Sequence, residues 1–407
     1  MTSALQEQVQ SQAKLMTTVN EFVYNHPELG YEEIQCADYL TESLRELGFE
    51  VERPIAGIET AFRATLPGEA GGPRVGLVML YDAVPTVQSD GTYHPNHSCG
   101  HNVISAAVIG AVAALAQQAI RRGDLVVMGL PGDEIGAPQV MCRGGSKAVT
   151  AVEGVWDDLD AVLYAHPEFY NTVSRASRWM ARYQVNMTHA RQLDQRGELQ
   201  ASVVWAVHEL LGAIRTLESN HTQEFVMVKR AWINGDVEAS CPLSAQLQIL
   251  VFGLSQDEVE TRSIALTEAV NSISRSAEIP IVLERIGPLY MGIRPNARLA
   301  TVVHDAMEAV GLEVLFDPLP LPFATDFGNI AQRLPSALIG IGRKGGWKFH
   351  SLGEAKEFTS ETANQVMRET AEVLAVATTY LWENPDWIVK IHEEHQKYVT
   401  DGRILNA

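Results

Sequence analysis

Arg74-Val75-Gly76-Leu77-Val78-Met79-Leu80-Tyr81-Asp82-Ala83-Val84-Pro85 is the stretch that decides the fold class. Residues 74–80 are apolar without interruption after the first. An unbroken apolar run of this length reads as a parallel strand covered on both faces. A polar cluster begins directly after it. The pattern recurs at 124–130 (Asp-Leu-Val-Val-Met-Gly-Leu), followed by Pro131-Gly132-Asp133-Glu134, and at 160–165, followed by His166-Pro167. Between the first two runs, residues 103–120 are Ala-rich and read as a buried helix, which Gln117 and Gln118 interrupt. Strands alternating with helices predict an α/β fold with a mostly parallel sheet and helices on both faces.

Outward from this core, residues 3–25 carry apolar side chains at helical spacing, and His26-Pro27-Glu28-Leu29-Gly30 breaks them. A second helix is predicted at 32–48 and a strand at 60–66. From about 175 to 291 the character changes to strand (180–188), helix (197–217), two strands (223–232 and 243–252) and helix (256–275). The α/β pattern then resumes with a helix at 296–310, a strand near 336–341 and a helix at 360–382. One domain is therefore expected inside another: a discontinuous one at 1–174 and 292–407, and an inserted α+β one at 175–291. The tail 383–407 adds a short helix, whose His392 and His395 read as surface residues.

Composition narrows the function. The 407 residues include 50 acidic and 31 basic side chains, a formal net charge of −19. So negative a chain is repelled by phosphate backbones and anionic leaflets, and its basic runs (Arg121-Arg122, Lys229-Arg230, Arg343-Lys344) are too short for a phosphate track. Neither a nucleic acid nor a membrane is expected as a partner. Four cysteines, Cys36, Cys99, Cys142 and Cys241, are too few and too scattered for a disulfide framework. The N-terminal segment lacks the charged and apolar regions of a secretory signal, so a cytoplasmic location is expected.

In open α/β sheets, ligands bind beyond the carboxyl ends of the strands. The clusters after 80, 130 and 165 all fall there. His97-Ser98-Cys99-Gly100-His101-Asn102 and Phe349-His350-Ser351 add to them. Thiolate, imidazole and carboxylate together suit a divalent transition metal. Cys99 and His101, two apart in a loop, can reach one ion, Glu134 and His166 come from neighbouring strand ends, and His350 closes the site. Asp133 is placed to take a proton from a water activated by the metal. Each piece has a plainer reading: a small buried cysteine, an acidic helix start, a His-Pro turn. Their shared edge favours the metallohydrolase.

The sequence resembles the aminoacylase and carboxypeptidase metallopeptidases, in the branch holding indole-acetyl-amino-acid hydrolases and aminobenzoyl-glutamate hydrolase. The matching pieces run in order: H-P-E-L-G-Y-E-E (26–33), Y-D-A-V-P (81–85), H-S-C-G-H-N (97–102), G-L-P-G-D-E (129–134), D-A-V-L-Y-A-H-P (160–167), T-H-A (188–190), T-D-F-G-N (325–329) and F-H-S (349–351). The resemblance implies a bilobed protein whose inserted domain is a lid that also dimerises, hence a homo-oligomer that is at least a dimer. It implies one or two divalent ions (Mn, Zn or Co) on Cys99, His101, Glu134, His166 and His350. It also implies that His189, in the lid, stabilises the developing oxyanion.

Departures from the family pattern bear on substrate. Asp133-Glu134 replaces the family's Glu-Glu, so the general base is one methylene shorter. Ala239 and Phe252 stand where the family has the Asn and Arg that hold a substrate carboxylate. These changes point to hydrolysis of a C–N bond in a small aromatic carboxylate. Deamination of an electron-poor aryl amine, 5-nitroanthranilate to 5-nitrosalicylate plus ammonia, is the favoured expectation, because the family includes such an activity. The alternative is cleavage of aromatic-acyl or N-acyl amino-acid amides such as aminobenzoyl-glutamate. A further alternative is an inactive relative. Phe252, Arg294, Arg343 and Lys344 are the candidate contacts for the substrate.

Overall fold

The computed structural model describes residues 2–87, 92–188, 203–218, 225–234, 244–315, 318–343 and 345–398. Contacts divide the chain into two compact units. One comprises Met1–Ala176, Ile293–Leu321 and Asp326–Ala407, the other Ser177–Gly292 with Pro322–Thr325.

The larger unit is built on a seven-stranded sheet. Its strands are β1 (Glu50–Glu52), β2 (Phe62–Leu66), β3 (Arg74–Leu80), β6 (Asp124–Leu130), β7 (Ala161–Glu168), β8 (Thr172–Val173) and β13 (Ser336–Gly342), in the order β1-β2-β6-β3-β7-β13-β8. A small separate hairpin supplies β4 (Val84–Val87) and β5 (Tyr93–Asn96). The four central strands, β6, β3, β7 and β13, are mutually parallel. β1 and β2 extend one side antiparallel, and β8 closes the other. The sheet is thus mixed, with a parallel centre. The apolar runs at 74–80 and 124–130 are the strands expected, and every residue after the first in β3 and β6 is buried.

Helices α1 (Thr2–Ser11), α2 (Ala13–Asn25), α3 (Ile34–Glu46), α4 (His101–Ala116), α5 (Pro138–Arg143) and α6 (Ser146–Val152) precede the second unit. The single helix expected at 3–25 is two helices. Gln12 breaks it, and beside the break the Ser11 hydroxyl donates to the Gln8 carbonyl at 2.6 Å, a local bond that competes with the helical ladder. α4 is buried from His101 to Leu115. Its alanines, with the single glycine Gly110, let neighbouring helices approach closely. It stops four residues earlier than expected, at the glutamine pair. No helix among the described residues is long and apolar enough to cross a membrane.

The smaller unit has α7 (Val203–Leu217), α8 (Gln256–Ser276) and a four-stranded antiparallel sheet. Its strands are β9 (Trp179–Thr188), β10 (Val226–Asn234), β11 (Ser244–Gly253) and β12 (Ile281–Arg285), in the order β10-β11-β9-β12. Alternate residues of β9 (Ala181, Tyr183, Val185, Met187) and β11 (Ala245, Leu247, Ile249, Val251) pack with the apolar faces of both helices. β12 carries no clear strand signal in the sequence, because Ile281–Arg285 mixes one short apolar run with two charges.

After the second unit come α9 (Ala297–Val310), α10 (Phe327–Ala331), a 3-10 helix at Leu352–Thr359, α11 (Glu361–Glu383) and α12 (Pro385–Tyr398). The tail corrects one expectation: His395 is buried, 7% exposed, because α12 packs back onto the unit through Ile388 and Ile391.

Candidate metal centre

Every side chain of interest leaves the carboxyl end of a central strand or a loop laid over it. Asp82 follows β3 by two residues, Asp133 and Glu134 follow β6, and His166 lies near the end of β7. Cys99 and His101 come from the loop that starts α4. That loop depends on Gly100, whose φ is +86° and where an added Cβ would stand 2.8 Å from Phe358 Cε1 and 2.9 Å from Pro167 Cγ. A side chain there would push the helix start, and His101 with it, off the sheet edge. His350 occupies the left-handed region at φ +58°, which costs a non-glycine residue about 1 kcal/mol or more. Its N–H donates to the Ser98 carbonyl at 2.8 Å, tying the C-terminal loop to the cysteine loop.

These elements bring the five expected ligand side chains together. Cys99 Sγ lies 3.4 Å from His350 Nε2 and 3.6 Å from His166 Nε2. Glu134 Oε1 lies 3.4 Å from His350 Nε2 and 3.9 Å from His101 Nε2. Two overlapping sets, Cys99 with His101 and His166, and Cys99 with Glu134 and His350, each place one donor atom per residue within 4.8 Å of the others. Cys99 is common to both. Asp133 Oδ2 is 3.7 Å from His101 Nε2, and its side chain keeps 20% of its surface.

Three buried acids and a lysine surround the cluster. Asp82 Oδ2 accepts the N–H groups of Asp133 and Glu134, each at 2.8 Å, while His101 Nδ1 is bonded to the Asp82 main-chain carbonyl at 2.8 Å with Oδ1 2.9 Å away. Glu33 Oε1 accepts the Gly132 N–H at 2.8 Å, bracing the same turn. Lys147, fully buried, forms ion pairs with Asp133 Oδ1 and with Asp326 Oδ1.

The electrostatics follow from this crowding. Burial pushes the His101 imidazole down, but Asp82, Asp133 and Glu134 together lift it to about 9. Burial and the charge of His101 lower His166 to about 4. The Cys99 thiol is driven well above its ordinary value by burial, then by Glu134 and Asp133. Against the cost of burial, Lys147 and His101 hold Asp133 well below the usual carboxylate range. His350 and His101 likewise lower Glu134 against the cost of its burial.

This donor set fits a divalent ion. His101 Nε2 and Glu134 Oε1 are buried without hydrogen-bond partners, a costly state for polar atoms. Both lie at the centre of the cluster. Asp82 occupies the far nitrogen of His101, the arrangement that orients a ligating imidazole. Soft thiolate, imidazole and carboxylate together suit zinc, cobalt or manganese rather than calcium.

The remaining candidates separate. Phe252 is buried inside the smaller unit, with the Arg178 guanidinium 5.9 Å from its ring centre. Arg294 precedes α9, whose start is fixed on α12 by bonds from Asn296 Nδ2 to Ile391 and from the Ala297 N–H to Glu394. α12 in turn faces Asp160, before β7, through His392 at 3.6 Å. Arg294 thus stands at the amino ends of the strands, opposite the cluster. Arg343 follows β13, is paired with Glu357, and lies 4.0 Å over the Trp347 ring. His189, Ala239, Cys241 and Lys344 fall outside the described residues.

Asp82, Lys147 and Asp326 were not among the expected site residues. Asp82 and Asp326 sit in quoted motifs, Y-D-A-V-P and T-D-F-G-N, so their signal was present. Lys147, in an ordinary helix start, gave none.

A strand-edge cluster of Cys, His and Glu on a parallel sheet with an inserted antiparallel unit defines a metallopeptidase-like hydrolase. The chain belongs to peptidase family M20/M25/M40, whose profile matches residues 81–378. It is a metal-dependent amidohydrolase. A mouse Xaa-Arg dipeptidase is 23% identical over 98% of this chain and 93% of its own length. One of the subunits of the p-aminobenzoyl-glutamate hydrolase of Escherichia coli is 30% identical over 41% of this chain and 35% of its own. In fold, a dinuclear metal-binding M20 peptidase from Bacillus subtilis superposes with a TM-score of 0.66 at 16% identity, covering 92% of this chain and 99% of that one.

Proposed function

We propose that this protein hydrolyses the amide bond joining an aromatic acyl group to an amino acid. The observation that carries the reading is the Cys99, His101, Glu134, His166 and His350 cluster with the Asp133 carboxylate beside it. The relatives reverse the order of the two substrate readings drawn from sequence: a dipeptidase and an aminobenzoyl-glutamate hydrolase act on peptide-like C–N bonds.

Those five residues would hold one or two divalent ions, with Cys99 shared between two. A divalent ion there lowers the pKa of a water and polarises a carbonyl. Asp133 Oδ2 takes the proton from the attacking water as its oxygen bonds to the acyl carbon. The same carboxyl then returns the proton to the leaving nitrogen as the C–N bond breaks, so proton and electron pairs balance. His189 is proposed to hold the oxyanion that develops. An aromatic acyl group is supported by Phe169, which with Tyr170 and Glu313 lines an open surface groove of about 620 Å³ that contains none of the five proposed ligands. Its Phe169 stacks edge-on at 5.5 Å with Phe349, the neighbour of His350.

The inserted unit is proposed to act as lid and dimerisation domain. β10 ends its sheet, with Trp232 and Ile233 exposed on it and Trp205 and Leu211 exposed on α7. A second copy pairing along the β10 edge would cover these exposed apolar side chains.

The aryl-amine reading, release of ammonia from 5-nitroanthranilate, is kept second. Phe252, where the resemblance drawn from the sequence places a carboxylate-binding arginine, favours it. The third reading, an inactive relative, has no support from the cluster, whose ligand types are complete.

The test is a panel on protein loaded with manganese, zinc or cobalt: aminobenzoyl-glutamate, N-acyl amino acids and 5-nitroanthranilate. Release of an amino acid supports the proposal. Ammonia from 5-nitroanthranilate without amide cleavage replaces it with the aryl reading. Inactivity with all three metals favours the inactive relative.

A further inference from the structure

Lys147 lies at the start of α6 with none of its surface exposed. Burying an ammonium costs several kcal/mol unless it is well paired. Here the pairing is graded. The Asp326 carboxylate is itself anchored, since its Oδ2 accepts the N–H groups of Lys147 at 3.0 Å and Ala148 at 3.3 Å. Its Oδ1 then holds Lys147 Nζ at 2.9 Å. Nζ in turn binds Asp133 Oδ1. The chain of contacts runs from a rigid helix start, through the lysine, to one oxygen of Asp133. The other oxygen, Oδ2, faces the cluster 3.7 Å from His101 Nε2.

We infer that Lys147, backed by Asp326, is a positioning residue that tethers Asp133 Oδ1 and so leaves Oδ2 as the oxygen that handles the proton. The inference rests on the proposed role of Asp133 as base. A carboxylate on a one-carbon stem cannot reach as far as a longer acid, and a free rotor would spend much of its time turned from the substrate. A tether at one oxygen removes that freedom. A structural tie alone would not need the buried charges of Lys147 and Asp326, because apolar groups of similar volume serve as well or better.

Removing the lysine alone would leave two buried carboxylates facing each other, so the informative variant is charge-balanced: Lys147→Met with Asp326→Asn. The asparagine oxygen still accepts from the α6 start. The assay uses the panel substrate with the highest kcat/KM, with bound metal and thermal unfolding measured on the same preparations. A lost tether is expected to lower kcat ten- to a hundredfold, the scale of a 1 Å misplacement. KM should stay within twofold, and metal content and unfolding should match the parent. Adding Asp133→Glu to that background should recover a large part of the lost kcat, because a longer stem needs no tether. Unchanged kcat in the double variant overturns the inference. So does a loss of kcat that only tracks lost metal or lost folding, or one that Asp133→Glu fails to rescue. If Asp133→Asn alone keeps full turnover, it is the base assignment that fails, independently of Lys147.

Discussion

Replacing Asp82 by asparagine probes the centre most directly, because it changes charge and almost nothing in volume. The carboxylate now accepts two backbone N–H bonds at 2.8 Å and faces His101 Nδ1 at 2.9 Å. An asparagine has one oxygen for these three demands. If that oxygen keeps the Asp133 and Glu134 N–H groups, its NH2 faces His101 Nδ1. The ring's Nδ1–H keeps its bond to the Asp82 main-chain carbonyl at 2.8 Å, but the adjacent carboxylate charge is gone, so the imidazole is oriented less firmly for an ion on Nε2. If the oxygen turns to His101, the turn holding Asp133 and Glu134 loses two bonds. A charge-assisted bond contributes about 1.5–3 kcal/mol against about 1 for a neutral one. The total loss is therefore about 2–3 kcal/mol, shared between the turn and the ring. Mutation of such an outer partner typically lowers metal affinity about 10–100-fold, which is about 1.4–2.7 kcal/mol. Zinc affinity is read by competition with a chromophoric chelator, and stability of the metal-depleted protein by urea unfolding. An Asp82→Asn protein whose zinc affinity stays within twofold of the parent would refute the reasoning.

Three further outcomes can be measured. His101 is raised to about 9 from an ordinary value of 6.5. Its charged form therefore stabilises the metal-depleted protein fully below pH about 6.5, and that contribution, about 3 kcal/mol, is lost as pH rises through 9. Metal binding needs the neutral ring and a Cys99 thiolate, so zinc affinity should climb at least tenfold per pH unit up to about 9; a flat dependence from pH 6.5 to 9 would contradict both statements. Trp232→Glu with Trp205→Glu should convert an oligomer to monomer in light scattering while bound metal per chain stays constant, and an unchanged mass would rule out this face as the interface.

Local chemistry made much of the molecule legible in advance. An apolar run such as 74–80 can be nothing but buried, and a polar cluster directly behind each of three such runs places functional groups on one edge. The proposed ligands were legible because each sits in a short motif of unusual composition: Cys99 and His101 around a glycine, Glu134 after Asp133, His166 before a proline. Short or mixed elements were not. β12 and the break at Gln12 depend on pairing partners and local bonds that carry no periodic signal. The burial of His395 carries no local signal, because it depends on the contact of α12 with the rest of the unit.

The arrangement of charge behind the ligands belongs to the tertiary structure alone. Lys147 and Asp326 are 179 positions apart in the chain, and nothing local to either marks it as the partner of the other. Arg294 and Arg343 looked equivalent as cations, yet one stands at the amino ends of the strands and the other is bound to Glu357 beside the carboxyl ends. Residue type and strand pattern specify which groups reach the sheet edge, because burial is decided locally by apolar content. Which buried charge neutralises which depends on distances across the fold, and there the Coulomb energy of a pair changes by several kcal/mol over a few ångströms in a low dielectric.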